Sequence, residues 1–170
     1  MTIEELCKRS YDTAVAKGWH EEPRSLGEVI TLMHSEVSEA LECWRDPSFK
    51  LEDVWKSQGD MPEGFVIELA DLLIRIADTA TDMKFPLEKI LFNTSISMLG
   101  RGYEHMVIKE KHLETIPEML GLIHIHLARA YDASFVSGAA LEGIVRGWVA
   151  LPPAFPFLHP EIKLRIACNL

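Results

Sequence analysis

Two pairs of acidic residues stand out because their spacing could place carboxylates together. Glu36 and Glu39 lie in HSEVSEALE, and Glu68 and Asp71 lie in ELADLLIRIAD. Residues three apart on a helix share a face, so each pair would point two carboxylates the same way. If the two helices pack antiparallel, these four residues, the acidic quartet, converge and require a counter-charge. An all-oxygen set favours a hard divalent cation, Mg²⁺ or Mn²⁺.

The position of Glu36 makes the first pair the more informative one. On a helical projection at about 100° per residue, Glu36 falls inside the apolar stripe of residues 26–45 and Glu39 falls at its edge. A glutamate in a core-facing stripe is rare unless it is paired or binds a metal. The alternative is a salt bridge to a neighbouring lysine or arginine.

The second pair belongs to a narrow polar strip on an otherwise apolar helix. For this helix alone, the simplest interpretation is a solvent-exposed face. The shared acid-x-x-acid spacing with the preceding helix favours a common site instead. The strip consists of Glu68, Asp71, Arg75, Asp78 and Thr79.

The elements that must position these residues are predicted to be helices, which makes the chain an all-α helical bundle. Capping-box patterns beginning at Thr2, Ser25 and Thr115 precede apolar-periodic runs, and strand signals are nearly absent. Residues 46–60 are predicted to form a long connection. The predicted helices are 3–17, 26–45, 63–83, 86–99, 101–111, 116–133, 138–149 and 160–168.

The second half of the chain resembles a diverged copy of the first. Residues 25–42 align without gaps with residues 115–132, so that His34 matches His124, and two flanking segments match in the same order. This pattern predicts a tandem-duplicated pseudo-dimer with repeats at 1–93 and 94–170 around one joint core. The first acidic pair is not kept, because His126 and Arg129 stand in its place.

Bulk properties exclude several classes of partner. The chain has 170 residues and a net charge of −9 with no run of basic residues, which argues against a broad nucleic-acid or anionic-membrane surface. No apolar stretch is long enough to predict a membrane span, and the N-terminus lacks the features of a signal peptide. Three cysteines without metal-ligand spacing fit reduced thiols in the cytoplasm.

Three segments together resemble a known family. HSEVSEALE, PEGFVIELADLLIRIAD and FPLEKILFN are similar to the MazG-like, all-α nucleoside triphosphate pyrophosphohydrolases, which include the dimeric dUTPases; the similarity covers about residues 19–93. The resemblance implies that the acidic quartet binds Mg²⁺. It also implies that Lys89 and Asn93, in a K-x-x-x-N pattern, lie near the substrate. Arg75 and Asp78 match supporting positions on the quartet helix.

The chain departs from the family pattern at three points. Ser35 stands where many relatives have a further glutamate, and Met61 replaces a lysine. The Arg-Pro-x-x-His-Gly tail that often follows the asparagine is absent after Asn93. These departures leave open which group activates water and which base is selected.

The implied reaction is hydrolysis of a nucleoside triphosphate to the monophosphate and pyrophosphate. Glu36 or Glu39 would orient or deprotonate the attacking water. Trp19, just before the second capping box, is a candidate for stacking on the base, and its alternative is a packing role. The side chains considered for the remaining positive charge are Lys89, Arg75 and Arg129.

Other functions share parts of this sequence pattern. A phosphoribosyl-ATP pyrophosphohydrolase shares the chemistry, and a catalytically inactive helical interaction protein shares the bundle. A ferritin-like di-iron protein requires Glu-x-x-His and a zinc metalloprotease requires His-Glu-x-x-His, and neither pattern occurs. A duplicated chain could be a monomeric pseudo-dimer or could form a homodimer.

Overall fold

The computed structural model describes residues 1–51, 53–56, 61–90 and 115–134. This part of the chain is mostly helical, in agreement with the predicted all-α class. Its helices are α1 (Ile3–Ala16), α2 (Leu26–Arg45), α3 (Phe65–Asp82) and α4 (Ile116–Ser134), and a helical turn covers 87–90. Between α2 and α3 lie two short strands, β1 (Trp55–Lys56) and β2 (Pro62–Glu63). The helices predicted at 101–111, 138–149 and 160–168, most of 86–99, and the boundary between the two repeats fall outside the described residues.

The helix starts follow from their N-terminal caps. The Thr2 hydroxyl accepts a hydrogen bond from the Glu5 backbone N–H while the Glu5 carboxylate accepts one from the Thr2 N–H, which is a complete capping box. Ser25 caps α2 through the backbone N–H of Glu28 at 3.1 Å. At α4 the carboxylate of Glu118 accepts a hydrogen bond from the Thr115 backbone N–H. Each cap satisfies an N–H group that the helix itself leaves unpaired.

The helix α3 is the centre of the described core. Thirteen of its eighteen residues are buried, which requires neighbours on most of its circumference. It packs against both α1 and α2, and α2 packs in turn against α4. Phe65 at its start is fully buried and meets the ring of Phe49 edge-on at 5.8 Å between centroids.

The two short strands were not predicted, and they move the start of α3. The sequence predicts a helix from residue 63, whereas Glu63 pairs with Trp55 in an antiparallel ladder and α3 begins two residues later. Gly64 makes this junction possible because its φ is +135° and a Cβ there would lie 2.5 Å from the carbonyl oxygen of Asp53. The ladder and the close approach hold Glu63 at the N-terminal end of α3.

The described helices include none that is both long enough and apolar enough to span a bilayer.

Candidate metal centre

The first acidic pair is split between the core and the surface. Glu36 is 5% exposed and lies on the face of α2 that also buries Met33, Val37 and Ala40. Glu39 is exposed. The helical projection therefore placed both residues correctly, with Glu36 inside the apolar stripe and Glu39 at its edge.

The second acidic pair lies in the first two turns of α3. Glu68 is 4% exposed, and Asp71 is half-buried. Asp78 and Thr79 of the same polar strip are also buried. The interpretation of this strip as an ordinary solvent-exposed face is therefore wrong, because the strip faces protein over most of its length.

Three members of the acidic quartet come together. One carboxylate oxygen from each of Glu36, Glu39 and Glu68 lies within 4.8 Å of the other two. Asp71 does not belong to this compact group, although it is close enough for its ionisation to be opposed by Glu36 and Glu39. We refer to Glu36, Glu39 and Glu68 as the acidic cluster.

One member of the acidic cluster has a cationic partner. The Arg75 guanidinium donates a hydrogen bond from Nε to Glu36 Oε1 at 2.5 Å, and both side chains are largely buried. The salt-bridge alternative for Glu36 therefore applies in this structure. It accounts for the burial of one carboxylate, and among the described residues the other two have no partner of this kind.

Glu68 is a buried member of the cluster whose charge no described residue balances. Within the residues that the structure describes, its carboxylate has neither a hydrogen bond nor an ion pair, although it is 4% exposed. An unpaired buried carboxylate is costly, and proteins usually supply a donor or a cation to it. This is the observation that a bound cation would explain.

The pKa values of carboxylates in and beside the cluster also show that negative charge is poorly balanced there. Burial, followed by the charges of Glu39 and Asp71, raises the pKa of Glu68 to about 8. Burial and the charge of Glu36 raise the pKa of Asp71 to about 6 even though Arg75 opposes the shift. The pKa of Glu39 is raised by burial and by Glu36. In the absence of a cation, a pKa of about 8 keeps Glu68 largely neutral at pH 7.

Sequence reasoning missed a fifth carboxylate, Glu63. Its charge contributes to the raised pKa values of Glu39, Glu68 and Asp71, so it lies within electrostatic reach of all three. The position of Glu63 depends on the ladder with Trp55, which the sequence did not predict. In the sequence, Glu63 is marked only by its position directly before Gly64.

We expect the metal-free protein to become less stable as pH rises from about 5 to about 8. In the folded chain the pKa of Glu68 is about 8 and that of Asp71 about 6, whereas in the unfolded chain both groups release their protons near the ordinary pKa values of 4.5 and 3.8. The folded state thus binds more protons, and the free energy of unfolding falls by about 1.4 kcal/mol per pH unit for each proton so retained.

Urea unfolding in EDTA at pH 5, 6, 7 and 8 measures this slope. Glu68→Gln removes the larger contribution, so the variant should show a flatter pH dependence than the native chain. Identical slopes for the two proteins would contradict the raised pKa of Glu68.

A second charged network fastens the segment between α1 and α2 to α3. The buried Asp78 accepts hydrogen bonds from His20 Nε2 at 2.8 Å and from Arg24 Nη2 at 2.9 Å. We call Asp78, His20 and Arg24 the Asp78 clamp. Asp78 was predicted to support the site near the substrate; in the structure both of its oxygens are bonded to protein side chains.

Local backbone geometry directs the clamp residues toward α3. At the end of α1, Gly18 has a φ of +77°, its N–H bonds to Val15, and the N–H of Trp19 bonds to Ala14. This is a Schellman motif, in which glycine ends the helix and reverses the chain. His20 then lies against the ring of Tyr11 at 4.8 Å.

The remaining predicted site residues are more scattered. Trp19 is 45% exposed, and the Lys17 ammonium lies 5.1 Å from its ring centroid. Lys89 is exposed on the turn at 87–90, and Arg129 is exposed on α4. Asn93 lies outside the described residues.

A small cleft lies beside Trp19 and extends to Arg75. Its lining includes Trp19, Arg24, Arg75 and Asp78, and Arg75 also contacts Glu36 of the cluster. The free volume is about 20 Å³, which is room for roughly one water molecule. A larger ligand would therefore rest on the mouth of the cleft and would not enter it.

Comparison of the chain with models of protein families, with curated proteins and with solved structures yields no match. The chain is therefore classified by its own fold and site. The described part is a helical protein with an acidic cluster, two members of which are buried, between α2 and α3.

Proposed function

We propose that the chain is a Mg²⁺-dependent nucleoside triphosphate pyrophosphohydrolase of the MazG-like type, which converts a (deoxy)nucleoside triphosphate and water to the monophosphate and pyrophosphate. The observation that carries this proposal is Glu68, a buried carboxylate with no partner among the described residues, within 4.8 Å of two other carboxylates. The resemblance of residues 19–93 to that family supplies the reaction.

The residues present fit a hard divalent cation. All three groups of the acidic cluster offer oxygen, which suits Mg²⁺ or Mn²⁺. Glu39 and Glu68 have no cationic hydrogen-bond partner among the described residues, and Glu36 keeps Oε2 free of the bond that Arg75 makes to Oε1. Asp71 and Glu63 add negative charge at the margin. When bound, the cation would offset the charge that develops on the leaving pyrophosphate.

Within this site Glu39 is the better candidate for the general base. Its side chain is exposed to solvent, where water can reach it, and desolvation together with the charge of Glu36 raises its pKa, which makes it a stronger base. As water attacks the α-phosphorus, Glu39 accepts a proton and a new P–O bond forms. The bond from the α-phosphorus to the bridging oxygen breaks, and pyrophosphate leaves with that electron pair.

The cleft beside the cluster supports a role in binding the nucleotide. Arg75 and the exposed residue Trp19 both line it, whereas the guanidinium of Arg24, which also lines it, is bonded to Asp78. Guanidinium groups bind phosphate oxygens, and an exposed indole can stack on a base. Lys89 and Asn93 remain candidates from the sequence pattern.

The contact between α2 and α4 supports the proposed duplication. His34 and His124, 90 residues apart, stack with ring centroids 4.9 Å apart and Nδ1 atoms 2.6 Å apart. Gly27, nearer the start of α2, lies against Tyr131, nearer the end of α4, so the helices run antiparallel. Where two equivalent helices pack antiparallel, a residue meets its own equivalent at a two-fold axis, and His34 and His124 are equivalent in the repeat alignment.

A second candidate is a catalytically inactive helical interaction protein. The observation that favours it is the ion pair between Arg75 and Glu36, which neutralises one member of the cluster without any metal. On this alternative, Glu68 would simply remain protonated at neutral pH.

The experiment that tests the proposal is pyrophosphate release from a panel of dNTPs, NTPs and phosphoribosyl-ATP. Each substrate is assayed with Mg²⁺, with Mn²⁺ and with EDTA. Release that requires the cation and returns when Mg²⁺ is restored to the EDTA-treated protein would support the enzyme and name its substrate class. No release from any substrate with either cation would favour the interaction protein.

A further inference from the structure

We propose that Arg75 is an exchangeable counter-ion, which holds Glu36 in the metal-free protein and moves to the substrate's phosphate chain when the acidic cluster takes up a divalent cation. This inference rests on the proposed function. It adds a regulatory role for one residue of the site, because the same guanidinium would oppose metal binding and assist substrate binding.

Arg75 lies between two environments, the carboxylate of Glu36 and the cleft. It lies on α3 one turn beyond Asp71, and its Nε bonds to Glu36 Oε1 at 2.5 Å. The same side chain lines the cleft with Trp19 and Arg24 and is 27% exposed, so it is not enclosed on all sides. The Arg75 side chain therefore contacts the carboxylate of Glu36 and also borders the cleft.

A divalent cation would compete with Arg75 for the carboxylate of Glu36. Among the described residues, Arg75 is the cation bonded to the acidic cluster. A divalent cation held by Glu36, Glu39 and Glu68 would place two positive charges close to the guanidinium. Like charges at such separation repel, so binding of the metal weakens the hold of Glu36 on Arg75.

The released guanidinium of Arg75 would move to the phosphate chain of the substrate. The clamp fixes Arg24 to Asp78 at 2.9 Å, so that guanidinium already has a buried anionic partner. Arg75 would be held less tightly by Glu36 once the metal is bound, and it lines the same cleft. A triphosphate offers planar pairs of oxygens that match a guanidinium, which makes Arg75 the cation that gains most from the substrate.

Isothermal titration calorimetry with Mn²⁺ alone tests the competition between Arg75 and the cation in the intact chain. We expect Arg75→Gln to bind Mn²⁺ about tenfold more tightly than the native protein, within the usual range of coupling between two sites. Without metal the variant should have a lower Tm, because Glu36 stays buried without its partner. Arg45→Gln removes the same charge from the exposed end of α2 and should bind Mn²⁺ like the native protein.

Inorganic triphosphate added to the Mn²⁺-loaded proteins tests the destination. Arg75→Gln should bind it at least about fivefold more weakly than the native protein. The signature is thus a gain in metal affinity combined with a loss in phosphate affinity, which a purely structural ion pair would not produce. Unchanged or weaker Mn²⁺ binding by Arg75→Gln, or unchanged triphosphate binding, would overturn the exchange while leaving the proposed function in place. A native protein that binds no Mn²⁺ would refute both.

Discussion

Replacing Glu68 with glutamine is expected to reduce Mg²⁺-dependent pyrophosphate release by roughly a hundredfold or more, the loss typical of removing one preorganised charge-stabilising group. Glutamine keeps the size of the side chain and removes the charge that would bind the cation. Because Glu68 has no hydrogen bond or ion pair among the described residues, the substitution breaks no such contact in the metal-free fold.

Stability should change in the opposite direction from activity. At pH 8, near the raised pKa of Glu68, the native side chain is partly ionised while it is buried beside other carboxylates. Removal of that charge should leave the Tm of the EDTA-treated protein unchanged or higher. A loss of activity without a loss of stability would identify Glu68 as a functional residue.

Glu42 provides the matched control for this experiment. It lies on α2, as do two members of the cluster, but its side chain is exposed. Glu42→Gln should therefore retain pyrophosphate release at the native level. Metal-dependent activity that survived in Glu68→Gln would contradict the assignment of the cluster as the metal site.

Replacing Asp78 with asparagine is expected to lower the free energy of unfolding by about 3 kcal/mol, the cost of breaking a buried ion pair by removing one partner. Asp78 is 5% exposed and accepts hydrogen bonds from both Arg24 and His20. Asparagine can accept only at one of its two terminal atoms, so the guanidinium is left buried without a full counter-charge. For a chain of this size the Tm should fall by roughly 10 °C.

Asp82 makes a sharp comparison for that prediction. It lies one turn further along α3, is about half exposed, and approaches His20 only to 3.6 Å. Asp82→Asn should cost less than about 1 kcal/mol, as is usual for an exposed ion pair. Equal effects of the two substitutions on thermal unfolding would show that the clamp does not hold the segment 18–25 onto α3.

The helices were predictable because local chemistry determines where they begin. Thr2 and Ser25 supply hydroxyl caps, and the apolar period that follows each of them fixes the buried face. Observed ends agree with the predictions within one residue for α1, α2 and α4. The burial of Glu36 followed from the same period, since its position in the stripe does not depend on which helix covers it.

The features that were missed depend on contacts between distant residues. Asp78 meets His20 at a separation of 58 residues, and Arg75 meets Glu36 at a separation of 39. A helical period can show that a face is buried, but it cannot name the partner across the interface. Glu63 was missed for a related reason, because a two-residue ladder leaves almost no sequence signal.

The polar strip of α3 shows where pattern reasoning needs tertiary information. Residues of both kinds, charged and apolar, are buried on this helix because it packs against α1 on one side and α2 on another. Its hydrophobic pattern alone favoured exposure of the strip. The repeated acid-x-x-acid spacing was the better guide, and the full quartet was nevertheless not gathered, since Asp71 lies outside the compact group.

The segment that carries Trp19 is fastened at three points: the glycine turn at Gly18, the clamp at Asp78 and the helix cap at Ser25. A connection tied in this way has already lost most of its conformational entropy before any ligand arrives. A molecule that contacts Trp19 would not have to order the segment first, so the free energy of its contacts would appear directly as affinity. The segment would therefore behave as a rigid wall of the cleft and not as a loop that closes over a ligand.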